Sequence, residues 1–349
     1  ALLVTAGMSQ IALAGDSVYV NTSSLRYRTS AQIKDNNIAG NLSYGQKLER
    51  VGTSGQWTMI LLNGKKYYVS SAYVTSKKPA SAGAVQTTSQ TAAGAQTSGG
   101  TAIALSSNYK YANYSKINSG TATLYRSTAS NKKNKVVCVN AGHGTNGGGS
   151  VKTQCHPDGS AKVTGGTTGA GATSAVAVSS GMTFADGTAE SKVTLAMAKV
   201  LKTKLLNAGY DVLMIRESDD VQLDNIARTV IANNNADCHI ALHWDSTSSN
   251  KGAFFMSVPS NATYRAMEPV ASHWKQHNQL GESLISGLKS AGVKIYSKGS
   301  MEMDLTQTSY STIPSVDIEL GDKASDHSGT TLETLANGLL TGVNTFFGQ

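Results

Sequence analysis

From Val136 onward the apolar residues switch repeatedly between a period of two and a period near 3.6, and no other feature of the chain constrains its fold as much. VVCVN (136–140) reads as a buried strand. ESKVTLAMAKVLKTKLLNAG (190–209) carries Val193, Ala196, Met197, Val200, Leu201 and Leu205 at helical spacing and stops at Gly209, and DVLMIR (211–216) is the next strand. A second helix over about 224–235 leads into the strand DCHIALHW (237–244), a longer helix covers about 268–291, and SVDIEL (315–320) is a late strand. This order predicts an α/β domain over 136–349 with an open, mostly parallel sheet covered by helices on both faces. In such sheets the site lies beyond the carboxyl ends of the strands.

At 349 residues the chain is too long for this domain alone. Residues 15–76 read as many short strands, with alternation in Leu25-Arg26-Tyr27-Arg28, a turn signal at Asn63-Gly64 and aromatics at Trp57, Tyr67 and Tyr68, which predicts a small all-β barrel or sheet. Residues 77–102 are low in complexity, hold no large apolar residue beyond Val85, and read as a flexible linker. Residues 103–135 contain one strand, Thr121 to Ser127, expected at the edge of the following sheet. Residues 1–14, ALLVTAGMSQIALA, resemble the end of a secretory signal and are too short to span a bilayer comfortably, so an exported, soluble or wall-associated protein is expected, with no transmembrane segment.

The net charge of +8 conceals an asymmetry. Residues 1–135 hold 15 Lys and Arg against 3 Asp and Glu, while residues 136–349 hold 15 against 19. The basic part, which also holds ten of the fourteen tyrosines, would be drawn to a polyanion such as an anionic wall polymer. No nucleic-acid motif accompanies the charge. Three cysteines, Cys138, Cys155 and Cys238, exclude a disulfide-built scaffold. Cys138 and Cys238 each lie five residues before a histidine, His143 and His243, and are read either as buried free thiols or as one bridge.

His143 follows the first strand directly, between glycines that let a ligand approach the backbone. His243 ends another strand, and Glu190 opens the first helix, where the helix dipole favours a carboxylate. Two imidazoles and one carboxylate at the rim make a three-ligand set that leaves a tetrahedral zinc one open position for water. Rival pairs are His239 with His243, His273 with His277, and Cys155 with His156. His239 sits in an apolar strand and reads as a hydrogen-bonded core residue; His273 and His277 flank Trp274 and read as surface residues. Glu217, at a strand end, is the alternative carboxylate.

With these residues in place, 136–349 resembles a zinc-dependent N-acetylmuramoyl-L-alanine amidase of the bacterial cell-wall hydrolase type. The resemblance rests on VVCVNAGHG, AES, LDNIARTVIANNNADCHIALHW and IPSVDIELG in that order. It implies one zinc ion held by His143, Glu190 and His243, with Glu319 as the catalytic glutamate and peptidoglycan as the substrate. The chain departs from the family at Asn140-Ala141, where Asp-Pro is usual, at Trp244-Asp245, where a small residue and Asn are usual, and in a long segment over 145–188. LRYRTS and GNLSYGQKLERVGTSGQWTMILLNGKKYYVSSAYV resemble a bacterial SH3-like domain, a family that commonly directs exported enzymes to cell-wall material.

Amide hydrolysis needs a nucleophile available near neutral pH, which zinc-bound water supplies, and a base that takes a proton and returns it to the departing amine. Glu319 suits that task. Asp317 lies on the same side of the strand and is the runner-up, with packing against a Lys or Arg as its alternative role. Two other readings stay open at this stage, an inactive wall-binding or regulatory protein and a metallopeptidase cutting within the stem peptide.

Overall fold

The computed structural model describes residues 16–20, 24–32, 37–43, 45–78 and 99–349. The signal-like run 1–14 and most of the low-complexity segment lie outside the described residues. The chain divides into two compact units, Ala1–Thr91 and Ala92–Gln349.

In the first unit, β1 (Asp16–Val20), β2 (Ser24–Arg28), β3 (Ile38–Ser43), β4 (Lys47–Ser54), β5 (Trp57–Leu62), β6 (Lys65–Ser70) and β7 (Val74–Thr75) form one seven-stranded sheet in the order β3-β2-β6-β5-β4-β1-β7. Every pairing in it is antiparallel. Alternation decides which face is buried: Val18, Val20, Leu25, Leu42, Leu48, Ile60 and Val69 make the core. Asn63 and Gly64 both adopt left-handed backbone, at φ 50° and 75°, and close the β5–β6 hairpin at the turn the sequence marks.

In the second unit the strands are β8 (Thr101–Ala104), β9 (Thr121–Tyr125), β10 (Val136–Ala141), β11 (Lys152–Gln154), β12 (Ser174–Val176), β13 (Asp211–Met214), β14 (Cys238–Asp245), β15 (Ala253–Ser257), β16 (Ile295–Glu302) and β17 (Ser315–Asp322). The helices are α1 (Glu190–Asn207), α2 (Asn225–Asn235), α3 (Ala262–Ala266), α4 (Val270–Ser290), α5 (Thr306–Tyr310) and α6 (Gly329–Phe347). Eight strands build one sheet, ordered β16-β15-β17-β14-β10-β13-β9-β8, and β11 and β12 form a separate hairpin.

The expected mostly parallel sheet is corrected to a mixed one. Its centre, β17-β14-β10-β13, is parallel, but β15 runs antiparallel to β17, and β9 and β8 continue antiparallel from β13. A crossover helix enforces parallel pairing only where it intervenes; β8 and β9 precede α1, and no helix lies between β14 and β15. β9, the strand expected at the edge from Thr121 to Ser127, lies one strand in, beside β13; the edge is β8, which takes up the last residues of the segment read as a linker.

Helices cover both faces. Val137, Val139, Val212, Met214, Ile240, Leu242, Val316 and Ile318 point into the larger core with α1, α4 and α6, whereas Cys138, Leu213 and Ile215 point the other way, against Ala227 and Ile231 of α2. Each fully buried Val, Leu or Ile contributes about 1.5–3 kcal/mol relative to exposure. The same alternation disposes of the disulfide: Val137, not Cys138, is paired with Cys238, so the two thiols lie on opposite faces, and all three cysteines are free and buried.

The expectation that His277 is a surface residue is also corrected. α4 packs against α6, β15 and β17, which buries His277 to 2% exposure, where its Nδ1 accepts the Ser315 N–H at 3.0 Å. His273 is half-buried, with Nδ1 2.8 Å from the Pro269 carbonyl.

Candidate metal centre

The opposite faces of β14 and β17 are used differently. Ile240, Leu242, Val316 and Ile318 go to the core, and period two then sends His239, Ala241 and His243 of β14, with Ser315, Asp317 and Glu319 of β17, to the other face. Register aligns His243 with Glu319 and Ala241 with Asp317. His143 follows β10, which lies beside β14, so its ring reaches the same rim.

The three expected ligands converge. His143 Nε2 lies 2.9 Å from Glu190 Oε1, His243 Nδ1 lies 3.0 Å from His143 Nε2, and His243 Nδ1 lies 3.2 Å from Glu190 Oε1. One donor atom from each residue falls within 4.8 Å of the others. His143 sits in left-handed backbone at φ 63°, a conformation that turns the chain sharply at the strand end. Its Nδ1 donates to the Ser179 carbonyl at 2.8 Å, leaving the Nε2 lone pair for the centre. Glu190 is held from two sides: the Met182 N–H donates to Oε2 at 2.8 Å and the Trp244 N–H to Oε1 at 3.0 Å. The second bond follows from a register shift in β14 between His243 and Asp245.

Charge explains what such a cluster can bind. Glu190, Asp317 and Glu319 face two imidazoles, and no Lys or Arg pairs with these carboxylates among the described residues. Burial works against the charge on Glu190, yet hydrogen bonds from His143 and His243 hold its carboxyl well below the ordinary range. Burial likewise opposes a charged His243, but Asp317 and Glu190 raise it to about 10. Burial pushes Glu319 well up, reinforced by the Asp317 charge, and burial also raises Asp317. A buried excess of carboxylate beside imidazoles is a place for a divalent cation, and two imidazoles with one carboxylate are a donor set that zinc accepts. Asp317 has His243 as its ionic neighbour, not the Lys or Arg considered from the sequence.

Two buried arginines hold the His143 loop from behind. Arg228 donates to the Leu223, Ala141 and His143 carbonyls, to Asn140 Oδ1 and to Thr145 Oγ1. Arg216 donates to the Ala141, Gly142, Ser191 and Ser218 carbonyls and to Thr194 Oγ1, joining the loop to the first turn of α1 that carries Glu190. Burial lowers Arg216 to about 10, and burial together with Arg216 lowers Arg228 to about 9. Neither arginine was singled out as a site residue from the sequence. Arg216 could have been, since it ends a strand at the rim. The Ser179 carbonyl has no sequence signal.

The long segment 145–188 forms a wall of the site. It is pinned by Asp304, which is fully buried and accepts from His156 Nε2 at 3.0 Å, Lys162 Nζ at 3.0 Å, the Val163 and Thr164 N–H groups, and Thr164 Oγ1. Burial opposes the Asp304 charge, but His156 and Thr164 hold its carboxyl well below the usual range. Cys155 and His156 therefore serve packing, away from the ligand cluster. Glu217 is likewise elsewhere, bound to Tyr125 Oη at 2.5 Å and Lys202 Nζ at 2.7 Å. His239 is a core residue as expected, with Nε2 3.2 Å from Asn140 Nδ2. Trp244 points into the main core and packs on Phe184 with ring centroids 5.9 Å apart. The cleft above the cluster encloses about 590 Å³ and is bounded by Gly166, Thr168, Ser180, Met256, Met303 and Gln307 along with the site residues.

A mixed α/β sheet whose central strands deliver two histidines and a glutamate to one rim defines an α/β protein with a centre able to hold a divalent metal. Residues 137–337, more than half of the chain, match the Amidase_3 family, described as N-acetylmuramoyl-L-alanine amidase, and the chain belongs to that family. Among solved structures it is similar to the N-acetylmuramyl-L-alanine amidase Ami1 of Mycobacterium smegmatis, at 18% identity and a TM-score of 0.51, over 63% of this chain and 99% of that one. It is also similar to the apo form of Ami1 from Mycobacterium abscessus, at 19% identity and a TM-score of 0.47, over 61% of this chain and 98% of that one. The first likeness shows a shared fold. No curated protein sequence matches the chain.

Proposed function

We propose that the protein is a zinc-dependent N-acetylmuramoyl-L-alanine amidase that cleaves the amide between the lactyl group of N-acetylmuramic acid and L-alanine in peptidoglycan. The observation that carries this reading is the convergence of His143, Glu190 and His243 within 4.8 Å beside Glu319, in a chain whose family is that of the amidases. Bound by these three residues, zinc would supply a Lewis acid and a water acidic enough to attack near neutral pH.

The rest falls to the chain's own groups. Glu319 is 8% exposed and among the described residues its Oε2 has no hydrogen-bond partner, so it is free to take a proton from the attacking water. A carboxyl whose proton affinity is raised by burial holds that proton until the departing amine accepts it. Ser179, Met182 and the Trp244 amide orient the ligands, and the wall built by 145–188 confines the substrate.

The reading extends to where the protein works. The antiparallel sheet of the first unit, its basic and tyrosine-rich composition and its resemblance to SH3-like domains support a role in holding the enzyme to peptidoglycan and anionic wall polymers. The apolar run at 1–14 supports export. The test is product analysis after the zinc-loaded chain digests purified peptidoglycan. Free stem peptides beginning with an L-alanine amino terminus, with intact glycan, are expected; peptides cut internally, or none, would overturn the reading.

A further inference from the structure

The two imidazoles of the cluster are built alike: each turns one nitrogen to the shared centre and the other to an oxygen. For His143 the outer nitrogen is Nδ1, 2.8 Å from the neutral Ser179 carbonyl. For His243 it is Nε2, 3.5 Å from Asp317 Oδ2, a carboxylate. We propose that Asp317 is a positioning residue that keeps the proton of His243 on Nε2 and its ring in place, so that Nδ1 offers its lone pair to the metal. This rests on the reading of His143, Glu190 and His243 as metal ligands.

Register supplies the first support. Asp317 pairs with Ala241 while Glu319 pairs with His243, so Asp317 stands one step back along the same face as the His243 ring. Partnership supplies the second. A carboxylate taken out of water normally gains a lysine, an arginine or several N–H donors in exchange. Among the described residues Asp317 has none of these within ion-pair distance; His243 is its ionic neighbour and its Oδ1 is buried without a hydrogen bond. Such a group is explained by the ring it faces. An anionic acceptor behind a ligating imidazole fixes its tautomer and raises its basicity more than a carbonyl does. His243 is packed over Gly142, and among the described residues its Nε2 makes no hydrogen bond to a backbone carbonyl like the one His143 makes to Ser179.

The test is zinc affinity of the full chain, measured by competition with a chromophoric chelator for wild type, Asp317→Asn and Asp317→Ala. Both variants should bind zinc about 10- to 100-fold more weakly, the alanine at least as weakly as the asparagine. Their urea midpoints in excess chelator should match wild type. Unchanged zinc affinity in both variants would overturn the proposal, and if peptide release were lost at the same time, Asp317 would be assigned to the substrate instead. Zinc binding by the wild type is measured first: its absence would sink the metal reading itself, whereas zinc held equally by all three proteins sinks only the role of Asp317.

Discussion

Gly142 and His243 are in contact: a Cβ placed on Gly142 would lie 2.2 Å from Cε1 of the imidazole. Gly142 is not among the positive-φ glycines, so its backbone would accept alanine, and the conflict is with the ring alone. Gly142→Ala should push His243 out of the cluster, weakening zinc binding at least 10-fold, for an overpacking cost of about 1–3 kcal/mol in stability. Chelator competition and urea denaturation on the same sample check both numbers. A variant with full zinc affinity would show that the ring does not need this position.

Glu319 lies outside the three-residue donor set. Glu319→Gln should therefore retain zinc and lose peptide release by about 10²–10⁴-fold, the usual worth of a general base. Removing zinc with a chelator should abolish release in the wild type as well, and zinc added back should restore it. Elemental analysis beside a release assay separates the two losses.

Arg228 places its Nη donors on four oxygens of residues 140–145, around His143. Arg228→Met would remove the donor of the His143 carbonyl and of Asn140 Oδ1, at about 1–3 kcal/mol for each that water cannot reach, while the Ala141 and Leu223 carbonyls keep Arg216 and Thr145. A loss of at least about 2 kcal/mol is expected by urea denaturation. A smaller loss would mean that the loop is held chiefly by its other contacts.

His239 and His277 are buried neutral, each lowered to about 3, by burial first and then by Arg228 for His239 and by His273 for His277. An unfolded histidine titrates near 6.5, so between about pH 6.5 and 3 the unfolded chain binds more protons than the folded one. These groups therefore favour folding fully above that window and progressively less as pH falls through it, each by about 1.4 kcal/mol per pH unit. His277→Gln should flatten the fall in stability between pH 6 and pH 4 by about that slope. An unaltered pH dependence in the variant would exclude His277 as a contributor.

Local pattern was enough for the central strands and the principal helices, because burial on one face imposes period two or 3.6 on the residues themselves. It also pointed to His143, Glu190 and His243, which the structure brings together, since each sits near the end of an element whose limits the sequence marks. What it could not contain is direction and depth. Whether β15 or β9 runs with or against its neighbour depends on which edge remains to be paired once the centre has formed, and that is a contact between distant segments. His277 has the same neighbours in sequence whether it faces water or Ser315; only the packing of α4 between α6 and the sheet buries it. The segment 145–188 has no periodicity to read, and its place beside the cleft comes from contacts with distant segments, among them those of the buried carboxylate of Asp304, more than a hundred residues further along the chain. The three candidate ligands could be read because they belong to regular elements, whereas the groups around them, namely Ser179, Arg216, Arg228 and Asp317, act through contacts that exist only after the sheet has brought its strands together.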